Sequence, residues 1–214
     1  MNAPVPTHFD HLVYAGPDLN AAVAEFTERT GVAPAPGGKH PRGTANHLVA
    51  FTVDGQRTRG YLEIIGPDPD RPSTEPITTF GIDALDDARL VTFAVHPPDL
   101  ESVIERARAD GYDPGPIEPL SRRTPEGTEL HWRLSRPRAH SPAVPFLIDW
   151  GSTDHPALGD LPTVELLGVQ ATHPEPDRVR GVLDLLGVDL SIESGASTTL
   201  HARLQTPNGP VHLT

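Results

Sequence analysis

Residues 8–15 alternate, with Phe9, His11, Val13 and Ala15 on one side and Asp10, Leu12 and Tyr14 on the other. That period of two marks a strand with two usable faces. Asp18 follows as a helix N-cap for an Ala/Glu-rich run over residues 21–30, and Gly31 as its stop. A Pro/Gly loop over residues 33–43 then leads into strands at 47–53 and 60–65 around an Asp54-Gly55 turn. The order is β-α-β-β, with room for one more short strand.

The pattern returns twice. A strand at 90–95, a helix at 99–109, strands at 117–123 and 129–135 around Pro125-Glu126-Gly127, and a last strand at 145–150 make a second unit. A third has a strand at 166–172, a helix at 177–186, strands at 190–193 and 198–205, the Pro207-Asn208-Gly209 turn and a strand at 211–213. The helix-opening residues Asp18, Asp99 and Asp177 are spaced by 81 and 78 residues, too long for the common solenoids and right for one supersecondary unit each. Pro-rich loops at 67–76 and 154–162 separate the units. The chain therefore divides into a first βαβββ module (7–66), a linker (67–88), a second module (89–158) and a third, shortened one (159–214), an α+β architecture.

Composition narrows the class. The 214 residues carry a net charge of −12 and no cysteine, which argues against a nucleic-acid footprint and excludes disulfide or thiol chemistry. Residues 1–6 lack a charged segment followed by an apolar run, and no stretch reaches bilayer length, so a cytoplasmic protein is expected. Arginine supplies all but one of the 17 basic side chains, a coding bias that suggests a bacterial origin. The Gly-x-Ser-x-Gly elbow is absent, and Ser152-Thr153-Asp154-His155 reads as a turn, since consecutive residues cannot converge as a triad does. Trp132 and Trp150 read as core or barrel wall.

Glu63 stands out among Leu62, Ile64 and Ile65. A carboxylate in an apolar strand is costly to bury unpaired, so it needs a ligand, a catalytic task as general base, an arginine partner or a bond to Asn46. The stretch from Gly37 to His47 holds the only lysine and other polar groups suited to an anion or carbonyl at a cleft mouth, but lacks the helix-opening Gly-Lys-Ser/Thr of a phosphate loop.

Five motifs then fall in order over these units. They are Asp10-His11-Leu12-Val13-Tyr14, Gly37-Gly38-Lys39-His40-Pro41, the run from Tyr61 to Pro69, Thr124-Pro125-Glu126-Gly127 with Trp132-Arg133-Leu134, and Pro145-Phe146-Leu147-Ile148-Asp149-Trp150. Together they resemble the vicinal oxygen chelate superfamily and, within it, its glyoxalase-like domain branch, over nearly the whole chain. The resemblance implies paired modules curled into an open-barrel cleft, as in glyoxalases, bleomycin-resistance proteins and ring-cleaving dioxygenases, with a divalent metal (Zn, Fe, Mn or Ni) in the cleft.

The superfamily's ligands come from first and fourth strands, which here implies His11 and Glu63. The corresponding first-strand residues of the later units are Leu90 and Leu167, which bind no metal; the last strand of unit two offers Ile148 or Asp149, and that of unit three places His212 opposite Glu63. His11 and Glu63 are two thirds of a two-histidine, one-carboxylate set that His212 or His47 would complete. His47, Asn46, His131 and Arg133 are the expected substrate-binding wall. Two functions follow: a metal-dependent lyase, isomerase or dioxygenase of a small oxygenated metabolite, or a metal-free, resistance-type protein that binds or sequesters a small molecule. The expected partner is that small molecule, with a homodimer as the one macromolecular candidate and neither nucleic acid nor membrane. Unit three is expected to buttress a barrel made by units one and two.

Overall fold

The computed structural model describes residues 5–71, 75–138 and 141–214; residues 1–4 of the N-terminal stretch and 72–74 of the 67–76 loop lie outside the described residues. The first unit consists of β1 (Phe9–Ala15), α1 (Leu19–Thr30), β2 (Ala35–Lys39), β3 (Thr44–Val53) and β4 (Gln56–Pro67). The second repeats it as β5 (Arg89–Val95), α2 (Leu100–Ala109), β6 (Ile117–Arg123), β7 (Glu129–Ser135) and β8 (Phe146–Asp149). The third runs β9 (Thr163–His173), α3 (Pro176–Leu186), β10 (Ser191–Ser194), β11 (Thr199–Thr206) and β12 (Gly209–Leu213).

Local chemistry sets these boundaries. The Asp18 carboxylate accepts the Ala21 N–H at 3.0 Å and Asp99 that of Ser102 at 2.9 Å, each satisfying an orphan donor at a helix start. Gly31 ends α1 in the left-handed conformation with φ 72°. The first half of the Pro/Gly loop forms β2, the extra strand for which the sequence left room, because β3 offers it a ladder.

Strands β3, β2, β6, β7, β8, β5, β1 and β4 follow one another around a ring, and the β3–β4 ladder closes it. In both units the first strand runs parallel to the last, β1 with β4 and β5 with β8. The units meet at two seams of unequal length. The β1–β5 seam is a long antiparallel ladder, whereas β2 and β6 share the single pair Lys39–Arg123. The helices cover the outside, where Leu12, Tyr14, Phe26, Leu62 and Ile104 belong to the main core, while Val13, Ala15, Leu48, Tyr61 and Trp150 line the inside. No helix among the described residues is long and apolar enough to cross a membrane.

The third unit stays outside the ring. Strand β9 runs parallel to the second half of β3, from Ala50 to Thr52, and the apolar face of α3, Leu183 and Leu186 included, joins the outer core. It does not repeat the winding of the first two. Strand β11 intervenes between β9 and β12, so β12 is a sheet edge paired with β11.

At the short seam Gly38 adopts φ 154°, and a Cβ there would collide with the backbone carbonyl of Arg123. Gly38→Ala is therefore expected to cost about 2 kcal/mol by pushing β2 away from β6, a clash class with large effects. Thermal unfolding checks this: a melting temperature within a degree of the parent would show that the seam tolerates the added methyl.

Candidate functional site

The ladder between β1 and β5 slips at its start. Phe9 faces Val95 and His11 faces Ala94, so Asp10 is the extra residue of a β-bulge. Strict alternation would put Asp10 and His11 on opposite sides of the strand. The bulge brings them together instead, with Asp10 Oδ1 at 2.6 Å from His11 Nδ1. Asp10 is 1% exposed, and its Oδ2 accepts the Trp150 Nε1–H at 3.0 Å and pairs with His155 Nε2 at 3.1 Å. The Ala157 N–H donates to His155 Nδ1 at 3.2 Å, which leaves the His155 proton on Nε2, pointing at Asp10. Burial alone would raise the Asp10 carboxyl; hydrogen bonds from His11 and His155 outweigh it and hold Asp10 far below the usual carboxylate range.

A carboxylate only accepts, so Nδ1 of His11 carries the proton and Nε2 presents a lone pair. Nε2 lies 3.9 Å from Glu63 Oε2, too far for a hydrogen bond and close enough to share one reacting atom. The His11 ring is clamped by Tyr61, stacked at 4.6 Å, and by the edge-on ring of Phe146 at 5.4 Å. Glu63 is oriented in turn, its Oε1 accepting from Asn46 Nδ2 at 2.5 Å. The other end of that amide, Asn46 Oδ1, is buried and finds no partner among the described residues, a cost consistent with an amide committed to Glu63.

These groups line a cavity of about 310 Å³ inside the ring. Phe146, Trp132 and Trp150 form apolar walls, and His40, Arg42, Arg122 and Arg136 add polar ones. Burial, with the charges of Asp10 and Glu63, keeps the Tyr61 hydroxyl protonated well above its usual range. Burial also lowers His40, which stays a neutral imidazole at neutral pH. Arg122 is buried and donates from Nη1 to the Gly37 carbonyl, tying β6 to β2 beside the cavity.

Of the residues singled out in the sequence, His11, Glu63, Asn46 and His131 line the cavity, His131 at its rim. The other three do not. His212 sits on the edge strand β12, stacked on His201 at 5.2 Å, because β11 and not β12 neighbours β9; the set of His11, Glu63 and His212 is not assembled. His47 follows Asn46 on β3 and so points to the opposite face. Arg133 is held on the outer surface by Asp149 and Glu101.

The counterparts in unit two also shift. A second bulge, at Val91, mirrors the one at Asp10, so the 81-residue offset of the capping aspartates aligns His11 with Thr92, while Leu90 faces the outer core. Across β1–β4 Val13 pairs with Glu63, and across β5–β8 its counterpart Ala94 pairs with Phe146. Phe146 therefore stands where Glu63 stands, in place of Ile148 or Asp149. His11 and Glu63 are the only imidazole or carboxylate at the four ligand positions, and among the described residues no group of three or more His, Cys, Asp or Glu is placed to hold a metal ion. The residues present do not fit the superfamily's four-ligand metal set. Asp10, Tyr61, Arg122, Arg136 and His155 were not read as site residues from the sequence; the nearest signals were the Asp-His dipeptide of β1 and a histidine ending a polar turn.

A closed ring of eight strands from two βαβββ units, with its polar groups inside, is the vicinal oxygen chelate architecture. The chain belongs to the glyoxalase-like domain family, whose family model matches residues 9–187. A hypothetical protein from Staphylococcus aureus shares the fold at TM-score 0.62 and 15% identity, over 95% of this chain and 83% of that one. Methylmalonyl-CoA epimerase of Streptomyces coelicolor, in complex with 2-nitronate-propionyl-CoA, is 17% identical over 70% of this chain and 99% of its own, with a TM-score of 0.41. The enzyme of that name from Mycobacterium tuberculosis is 18% identical over 62% and 82%, with a TM-score of 0.34. No curated protein matches the chain.

The depressed Asp10 carboxyl fixes a pH dependence. Its stabilising contribution is complete above the unfolded value of about 3.9 and is lost as pH falls from there toward the far lower folded value. Asp10→Asn should cost about 3 kcal/mol at pH 7, the scale for breaking a buried charge pair, and the gap from the parent should shrink below about pH 4. Urea unfolding at pH 7, 4 and 3 measures it; a gap unchanged over that range would deny the buried carboxylate its role.

Proposed function

We propose that this protein is an enzyme that moves a proton on a small oxygenated substrate, an isomerase or epimerase type of reaction at a carbon next to a carbonyl, with His11 and Glu63 as the paired acid–base groups. The observation that carries this reading is the pair itself: two Brønsted groups 3.9 Å apart, facing one cavity, each oriented by a buried partner. One group removes the proton and then returns that same proton to the substrate, either itself or by passing it to the other across the 3.9 Å between them. Tyr61 keeps its hydroxyl proton next to His11 and offers a donor to the oxygen on which charge develops, and the Arg122 guanidinium adds positive charge to the same cavity. The apolar walls of Phe146, Trp132 and Trp150 exclude water, which strengthens both effects.

The test is solvent exchange. The protein is incubated in D2O with a panel of α-hydroxy ketones, 2-hydroxy and 2-oxo acids and acyl thioesters, and deuterium is followed by NMR. Incorporation next to a carbonyl is expected, falling by about 10²–10⁴-fold in His11→Gln and in Glu63→Gln. The metal content of protein purified without chelator is measured alongside. Exchange that needs a divalent ion would make His11 and Glu63 metal holders instead, and tight binding without any exchange would leave a sequestering protein.

A further inference from the structure

A second, open cavity of about 560 Å³ adjoins the first, and the two share Arg42, Thr79, Phe80, Leu134 and Arg136. Their junction is the mouth of the site. The chain as a whole is strongly acidic, at −12, yet among the described residues Arg42, Arg136 and Arg138 gather here against one carboxylate lining the outer cavity, Glu118. Arg42 reaches Glu118 at 3.6 Å. Arg136 is different. Its guanidinium lies half-buried over the Phe80 ring at 5.4 Å, and among the described residues no hydrogen bond or ion pair joins it to an acceptor. A partly desolvated guanidinium with its fork of donors unused is a site for an anion, and a local reversal of sign in an acidic protein steers anions toward it.

We propose that the substrate is a carboxylate, received at the mouth by Arg136 with Arg42 beside it, while its other end extends between His11 and Glu63. The planar fork of one half-buried guanidinium matches one carboxylate in two parallel hydrogen bonds, and the Phe80 ring holds that fork from behind. A phosphate dianion would call for more buried donors than the mouth presents. Burial and then the neighbouring charge of Arg42 lower Arg136, against the opposing charges of Glu118 and Glu63, and a carboxylate bound between the two guanidiniums offsets their repulsion. The inference rests on the acid–base reading only for which end of the substrate reacts; recognition of the anion stands without it.

The test uses the two tryptophans of the chain, Trp132 and Trp150, which both line the inner cavity and report on it by fluorescence. The intact protein is titrated at low ionic strength with malonate, with malonamide as its neutral counterpart, and with inorganic phosphate. Malonate should give a saturable change that malonamide at the same concentration does not. Arg136→Met should weaken malonate at least about 10-fold, as expected for losing charged hydrogen bonds, and Arg136→Gln reads the same loss if the Met variant fails to fold. Equal binding of malonate and malonamide, no binding of malonate, unchanged affinity in the folded variant, or tighter binding of phosphate than of malonate would each overturn the assignment. Binding is read without turnover, so a failure of the proton-transfer reading leaves this result standing.

Discussion

A carboxylate that water cannot reach must be satisfied by protein donors, and Asp10 is satisfied by three rings that arrive from different parts of the chain: His11 beside it on β1, Trp150 at the end of β8 and His155 in the turn beyond. This one group therefore ties the first strand of unit one to the last strand of unit two across the ring. It also sets the chemistry. With Asp10 ionised, the His11 proton is held at Nδ1 and the lone pair of Nε2 is delivered to the cavity, the role that outer carboxylates play for histidines in acid–base and metal sites alike. Removing the charge leaves buried donors unanswered, which is why stability and site geometry depend on the same residue.

The two units supply matched backbones and unmatched chemistry. Bulges at Asp10 and Val91 occupy equivalent places in antiparallel neighbours β1 and β5, so the scaffold is symmetrical down to its irregularities. The side chains are not. Where unit one has His11 and Glu63, unit two has Thr92 and Phe146, and Phe146 turns its edge to the His11 ring. An apolar ring in a ligand position lowers the local dielectric around the remaining pair and strengthens each charge that acts there. The half that holds neither the imidazole nor the carboxylate of the pair thus contributes aromatic wall with the guanidiniums of Arg122 and Arg136 beside it, and the acid–base groups stand on one flank of the cleft.

Much of the fold was legible because its signals are local. Asp18 and Asp99 announce their helices, Gly31 ends one, Asp54-Gly55 turns a hairpin, and the strands 117–123 and 129–135 are bounded by the turn between them. The closeness of His11 and Glu63 was legible for a related reason: beyond the bulge at Asp10 the two strands alternate regularly, and with the right parity they need only be neighbours. What was not legible depends on register or on distance along the chain. A one-residue bulge reverses parity, so Asp10 reads as facing away from His11 when it contacts it. His155 looks like part of a polar turn, since nothing in Ser152-Thr153-Asp154-His155 reveals a buried carboxylate 145 residues earlier. Arg122 sits in the polar run Ser121-Arg122-Arg123 and is buried only because its strand closes a ring. The displacement of His212 follows from strand order: element sequence alone does not say that β11 would come between β9 and β12.

The unequal seams explain where the site opens and why a third unit is needed. A long ladder joins β1 to β5, but β2 reaches β6 through one pair, reinforced by the Arg122 side chain on the Gly37 carbonyl. The residues that follow β2, His40 to Arg42, leave the ladder at this point and become the cavity wall and its mouth. Strand β2 also ends its pairing with β3 at Leu48, which would leave the second half of that edge bare. Strand β9 takes it over from Ala50 to Thr52, so the outer unit completes an edge that β2 leaves uncovered. The ring can then remain loosely joined beside its mouth, where ligands must pass, because the edge of β3 and the apolar faces around it are secured from outside.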